Sequence, residues 1–216
     1  MQPEINPERN PSKNNILILF AHPALQNSRV NKQLIQYANG LEGITVHDLY
    51  EAYPDFYIDV KHEQNLLLEH DVIIFHHPLL WFSVPAILRE WMDLVLQHMW
   101  AYGVTGNALQ GKKFFNVVTA GGGEELFQHD GYHGNTMVEF LAPIRQAARV
   151  CNMEFLPPYV VYGTRNITQQ AIRQYGEDYR TLLLALRDGH FDITSAHNRH
   201  KLNSDPSSPI HPVKDS

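Results

Sequence analysis

Residues Ile16 to His22 (ILILFAH) form an apolar run of strand length, the pattern of a strand covered on both faces. Polar Pro23 to Ser28 follow. In the next stretch Val30, Leu34 and Tyr37 or Ala38 recur at helical spacing until Gly40 stops the helix. The same alternation continues, with Ile44 to Leu49 as a strand, KHEQNLLLEH from Lys61 as a helix, and Asp71 to His77 (DVIIFHH) as a second apolar strand. Val84 to about Met99 then reads as a helix and KKFFNVVTA from Lys112 as a strand. Asn135 to Val150 reads as a helix, MEFLPPYVVYG from Met153 as a strand, and Thr168 to Leu186 as a helix. In the helix after the third strand, Val84, Ile87, Leu88, Trp91 and Val95 form the stripe expected to be buried, while Arg89, Glu90, Asp93 and Gln97 face away.

Strands that alternate with helices must be parallel, because each return to the same edge needs a crossover, and the crossovers are right-handed. The expected fold is α/β, a doubly wound five-stranded parallel sheet with helices on both faces. No G-x-G-x-x-G follows the first strand, so the dinucleotide fingerprint is missing and the flavodoxin-like order 2-1-3-4-5 fits better. The chain divides into a flexible segment 1–14, a domain 15–186 and a polar tail 187–216 expected to be mobile.

Composition narrows the class. At 216 residues and 44% hydrophobic, the chain can bury one core. Its net charge of −6, with Lys and Arg scattered, argues against a nucleic-acid surface. No signal-peptide core and no run of ~18 apolar residues is present. Cys151 is the only cysteine, which rules out an intramolecular disulfide and favours a reducing, cytoplasmic setting. The 13 histidines do not suggest a metal: His76 and His77 are neighbours on a strand and point to opposite faces, His129 and His133 lie in an irregular loop, and four more are in the tail.

In an open α/β sheet, ligands bind beyond the carboxyl ends of the strands at the topological switch point, so the loops after strands one, three and four are the candidates. In the first loop, Asn27 or Ser28 caps the helix, and the amides of its first turn with Ser28, Arg29 and Asn31 suit a phosphate monoester, to which His22 adds a hydrogen bond. In the third-strand loop, Pro78 and Pro85 stiffen a segment that holds Trp81 and Phe82 at the sheet edge, where a planar aromatic ligand can lie against them. The fourth-strand loop, Thr119 to Glu125, has three successive glycines that let a ligand approach bare backbone amides. A phosphate cradle, an aromatic shelf and free amides together are what a flavin nucleotide requires.

Residues from about Ile16 to Arg165 resemble the flavodoxin-like NAD(P)H:quinone oxidoreductases through "AHP…S", "HPLLWFSVPAILREWMD", "WAYG" and "TAGGG…GYHG". Within that family "HDLYEAYPDFYIDV" and "WAYGVTGNALQGK" are similar to the ancillary flavoprotein of glutathione-gated potassium-efflux systems. The resemblance implies noncovalent FMN, or FAD as in some relatives, in a homodimer with the pocket near the interface. It places His22, Ser28, Arg29, Val30 and Asn31 at the phosphate, Leu79, Leu80, Trp81 and Phe82 along the isoalloxazine, and Thr119, Ala120, Gly121 and Gly122 at its pyrimidine edge. Many relatives have a second Thr at Ala120, so one side-chain hydrogen bond is missing, although a backbone N–H there is unaffected. Through "YHG", His133 matches the His that assists hydride transfer in animal quinone reductases, as the resemblance implies. Phe127 stands about where animal enzymes have a Tyr, so a Tyr/His relay does not transfer.

The expected reaction is ping-pong, with NADPH or NADH reducing the flavin and a quinone reoxidising it, and with His133 bonded to a quinone oxygen. One alternative is a regulatory subunit on a potassium-efflux transporter, peripheral on the inner membrane, with "YPDFYID" as a contact segment. Another is electron transfer in the manner of a small flavodoxin.

Overall fold

The computed structural model describes residues 13–203, so all but the end of the expected N-terminal segment, and the tail beyond Asn203, lie outside the described residues. Strands β1 (Ile16–Phe20), β2 (Ile44–Asp48), β3 (Val72–Pro78), β4 (Lys113–Thr119), β5 (Glu154–Phe155) and β6 (Tyr159–Val161) form one parallel sheet. Its order is β2-β1-β3-β4-β5, with β6 also on β4, as the flavodoxin-like reading expects.

The fifth strand is interrupted. Four steps along β4, from Lys113 to Val117, face five steps, from Glu154 to Tyr159, so one residue is extra around Pro157-Pro158. Proline cannot donate to the ladder, and the strand bulges where two of them fall together.

Helices α1 (Arg29–Ala38) and α7 (Gln169–Arg187) cover one face, while α3 (Val60–Glu69), α4 (Ala86–Val95) and α6 (Ala142–Val150) cover the other. The short helices α2 (Leu49–Ala52), α5 (Met137–Phe140) and α8 (Ile193–His197) complete the α-helices among the described residues, and 3-10 turns cover Leu25–Asn27 and Glu124–Leu126. Alternate β1 residues serve both cores: Ile16, Ile18 and Phe20 face α1 and α7, and Leu17 and Leu19 face α3 and α4. The α4 stripe is buried as the periodicity expects. Each such large side chain stabilises the fold by about 1.5–3 kcal/mol.

Three expectations change. The helix expected over 84–99 stops at Val95, and the one over 135–150 breaks at Leu141 into α5 and α6, with Pro143 in the opening turn of α6. The polar tail from residue 187 is docked as far as it is described. Phe191, Ala196 and Leu202 are buried in the α1/α7 core. The Asn203 side chain bonds both N–H and C=O of Val160, and Lys201 pairs with Glu124 at 2.5 Å. Phe191, Ala196 and Leu202, with partly buried Ile193 beside them, anchor this strap.

Candidate functional site at the carboxyl edge of the sheet

Ser28 caps α1. Its Oγ accepts from Asn31 N at 3.2 Å and from Asn31 Nδ2 at 3.1 Å. The opening turn of a helix leaves amides without intrahelical partners, so Arg29 and Val30 present their N–H groups outward at the positive end of the helix dipole. Val30 contributes only this amide, because its side chain is core. The Arg29 guanidinium leans away, donating to Ile167 O at 3.0 Å. His22 Nδ1 accepts from Ala24 N at 3.1 Å, so in the neutral ring the proton sits on Nε2 as a donor. Burial lowers the pKa of His22 against a smaller opposing effect from its backbone hydrogen bond, which keeps the ring neutral.

Asn31 joins the first loop to the fourth strand. Buried at 3% exposure, it donates from Nδ2 to Thr119 Oγ1 at 2.8 Å, while its Oδ1 has no partner. Thr119 O in turn accepts from Leu79 N at 2.8 Å. All three candidate loops therefore meet at Thr119.

Leu80 and Ser83 close a two-residue turn by exchanging both backbone hydrogen bonds, at 3.0 and 2.9 Å. Its central residues, Trp81 and Phe82, have φ of 48° and 61°, the left-handed pair of a type I′ turn that Asn-Gly normally fills. Bulky residues there store strain of order 1–3 kcal/mol each. The expected aromatic shelf is divided. Phe82 stacks on Phe140 (centroids 5.1 Å, 29°) and meets the His133 edge at 5.1 Å, whereas Trp81 points into solvent at 94% exposure.

His133 thus sits beside the third-strand loop, in an aromatic cluster with Phe82, Phe127 at 4.8 Å and Tyr132 at 5.3 Å. Phe127 is buried against Tyr162, and Tyr132 stands 88% exposed. Burial, with Glu124 as a lesser cause, raises the Tyr162 phenol pKa well above its ordinary value.

In the fourth-strand loop the glycines act differently from expectation. A methyl group at Gly121 would stand 3.0 Å from Arg165 Nε, and one at Gly122 would stand 2.8 Å from Leu126 Cδ1, so this chain's own side chains fill that space. The N–H groups of Gly121, Gly122 and Gly123 have no acceptor among the described residues. The expectation for Ala120 is corrected: its amide donates to Val161 O at 2.9 Å and its side chain is buried, so it offers nothing outward. Arg165 and Phe140 were missed in the sequence. Arg165 follows the last strand, and applying the carboxyl-edge rule to that loop would have found it.

These donors fit a phosphate monoester linked to a flat heteroaromatic ring: helix amides and a serine hydroxyl for the phosphate, unpaired glycine amides for a polar ring edge. The family model described as the flavodoxin-like fold matches residues 14–183. The chain belongs to this flavodoxin-like family. It is 45% identical over 166 residues, 75% of this chain and 91% of the relative, to the glutathione-regulated potassium-efflux system ancillary protein KefG of Pectobacterium carotovorum. Among solved structures, the general stress protein 14 of Treponema denticola in complex with FMN shares 34% identity and a TM-score of 0.75, covering 80% of this chain and 99% of that one. An NADPH-quinone reductase from P. pentosaceus shares 30% and 0.71, covering 78% and 96%. A protein from Streptomycin violaceusniger described as a thermophilic tryptophan halogenase shares 39% and 0.76, covering 78% and 98%. Among the described residues, no helix of this flavodoxin-like chain is long and apolar enough to cross a membrane.

Proposed function

We propose that this chain is a flavin-dependent NAD(P)H:quinone oxidoreductase that holds FMN across the three loops and works by a ping-pong sequence, the nicotinamide leaving before the quinone enters. The observation that carries this reading is the Asn31–Thr119 hydrogen bond, which locks the phosphate-type helix terminus to the loop with unpaired amides. When bound, the flavin supplies the redox chemistry, taking a hydride equivalent from one substrate and delivering two electrons to the other.

The chain's own groups bind and orient. The amides of Arg29 and Val30, the Ser28 hydroxyl and His22 Nε2–H hold the phosphate. Leu79 to Phe82 border the ring, and Thr119 with the Gly121 and Gly122 amides faces its polar edge. His133, beside Phe82, donates a hydrogen bond to a quinone oxygen as negative charge develops there. The neighbours' names do not agree on one reaction, so the reading rests on this donor set. Exposed Trp81 and Tyr132 flank the Phe82–His133 pair, which favours a second copy of the chain covering this side as a homodimer.

Steady-state oxidation of NADPH and NADH with a benzoquinone is the test. Parallel double-reciprocal lines are expected, and a flavin-loaded protein that turns over no quinone would remove the enzyme reading.

A second role has its own support. The potassium-efflux name of the relative at 45% identity, and the exposed Phe56 and Tyr57 within YPDFYID, favour an ancillary contact with a transporter. A pull-down on a transporter cytosolic domain, with Tyr57→Ala as the weakened control, tests it. The two roles are compatible.

A further inference from the structure

Away from the three loops, α3 begins with a carboxylate that solvent does not reach. Glu63 is 0% exposed, and its oxygens accept from Tyr53 Oη at 2.5 Å, from Trp91 Nε1 at 2.7 Å and from His47 Nε2 at 2.7 Å. Tyr53 and Trp91 are neutral donors. Among the described residues bonded to this buried charge, the one that can carry a positive charge is His47 on the edge strand β2. A second imidazole, the exposed His62, stands with its ring centroid 5.9 Å from that of His47. One ligand atom from each of His47, His62 and Glu63 lies within 4.8 Å of the others. Further negative charge is close by, because Asp48 follows His47 in the chain and Asp59 caps α3.

We propose that His47, His62 and Glu63 form a zinc(II) site joining β2 to α3. Two imidazoles and one carboxylate are the donor set of open zinc sites with three protein ligands and a fourth, solvent-side position for water. Little must move. The His47–Glu63 gap has to widen from 2.7 Å to about 3.3 Å, the separation of two ligands at ~2.05 Å around a tetrahedral ion, and exposed His62 swings inward. Glu63 Oε2 remains held by Trp91, the outer contact that fixes a ligating carboxylate. The proton on His47 Nε2 passes to Nδ1, leaving Nε2 to the metal. The ion would pin the Tyr53–Asp59 loop at both ends, since Tyr53 bonds Glu63 and Asp59 caps the helix that carries the ligands. The ligands sit 15 and 16 positions apart on a strand and a helix, which is why no ligand spacing shows in the sequence.

The test is competition of zinc sulfate between the full-length protein and a chromogenic chelator at neutral pH, with X-ray absorption at the zinc edge. One ion per chain is expected in a shell of two imidazoles and a carboxylate, with at least tenfold weaker binding in His62→Ala. That residue is exposed, so the variant should fold. Unchanged binding in a His197→Ala/His200→Ala variant is also expected. The proposal is overturned if the wild-type protein holds no zinc against the chelator, if His62→Ala holds it equally well, or if the loss appears instead in the His197/His200 variant.

Discussion

The side-chain amide of Asn31 donates to Thr119 Oγ1 at 2.8 Å, joining two residues 88 positions apart in the chain at the point where all three ligand loops meet. Asn31→Ala removes the bridge and one of the Ser28 contacts in a buried setting. A loss of about 1–3 kcal/mol in urea unfolding is expected, with FMN affinity at least tenfold weaker. If affinity were unchanged, the bridge would have no part in forming the site.

Trp81 occupies a left-handed turn position with its ring in solvent. Trp81→Asn suits that backbone better, so the melting temperature of dilute protein should hold or rise by a few degrees while kcat/KM for quinone falls about tenfold. Unchanged turnover would remove Trp81 from the site.

Glu63 accepts hydrogen bonds from three side chains. Burial works against its charge, but the bonds from His47, Tyr53 and Trp91 outweigh it and hold the carboxyl below its ordinary pKa. Glu63→Gln turns an N–H toward a donor, and a loss of about 3–5 kcal/mol is expected by analogy with broken buried charge networks, measured by denaturant titration.

His76 is fully buried between Phe20 and Tyr179, with neither ring nitrogen partnered, and burial, followed by His77 and His22, lowers its pKa to about 3. The folded state keeps this ring neutral while the unfolded chain takes up a proton below the ordinary value of 6.5. The contribution is therefore complete above that pH and is lost as pH falls toward 3, at up to about 1.4 kcal/mol per pH unit. His76→Phe should flatten the stability profile between pH 6 and 4, as read by urea midpoints across about that range; an unchanged slope would place the ring's proton elsewhere.

The sheet is legible because β1 and β3 are buried along their whole length, so their runs are apolar up to the His76-His77 pair that ends β3. The three loops followed from strand order alone. What escaped depends on contacts distant in sequence. Asn31 looks like any polar residue in a helix's first turn, and Glu63 like one on a solvent face. Trp81-Phe82 goes against the preference for Asn-Gly in such a turn, so no local signal marks it. Nothing local in the sequence shows that Val161 O takes the Ala120 amide. Leu202 and Asn203 dock through partners some 40 residues back.

Titration of flavin-free protein with FMN, followed by visible absorbance and flavin fluorescence, tests the central claim most directly. Saturation at one FMN per chain is expected, with a shifted and structured visible flavin band. A protein that stays colourless and leaves FMN fluorescence unchanged at stoichiometric concentration would contradict it.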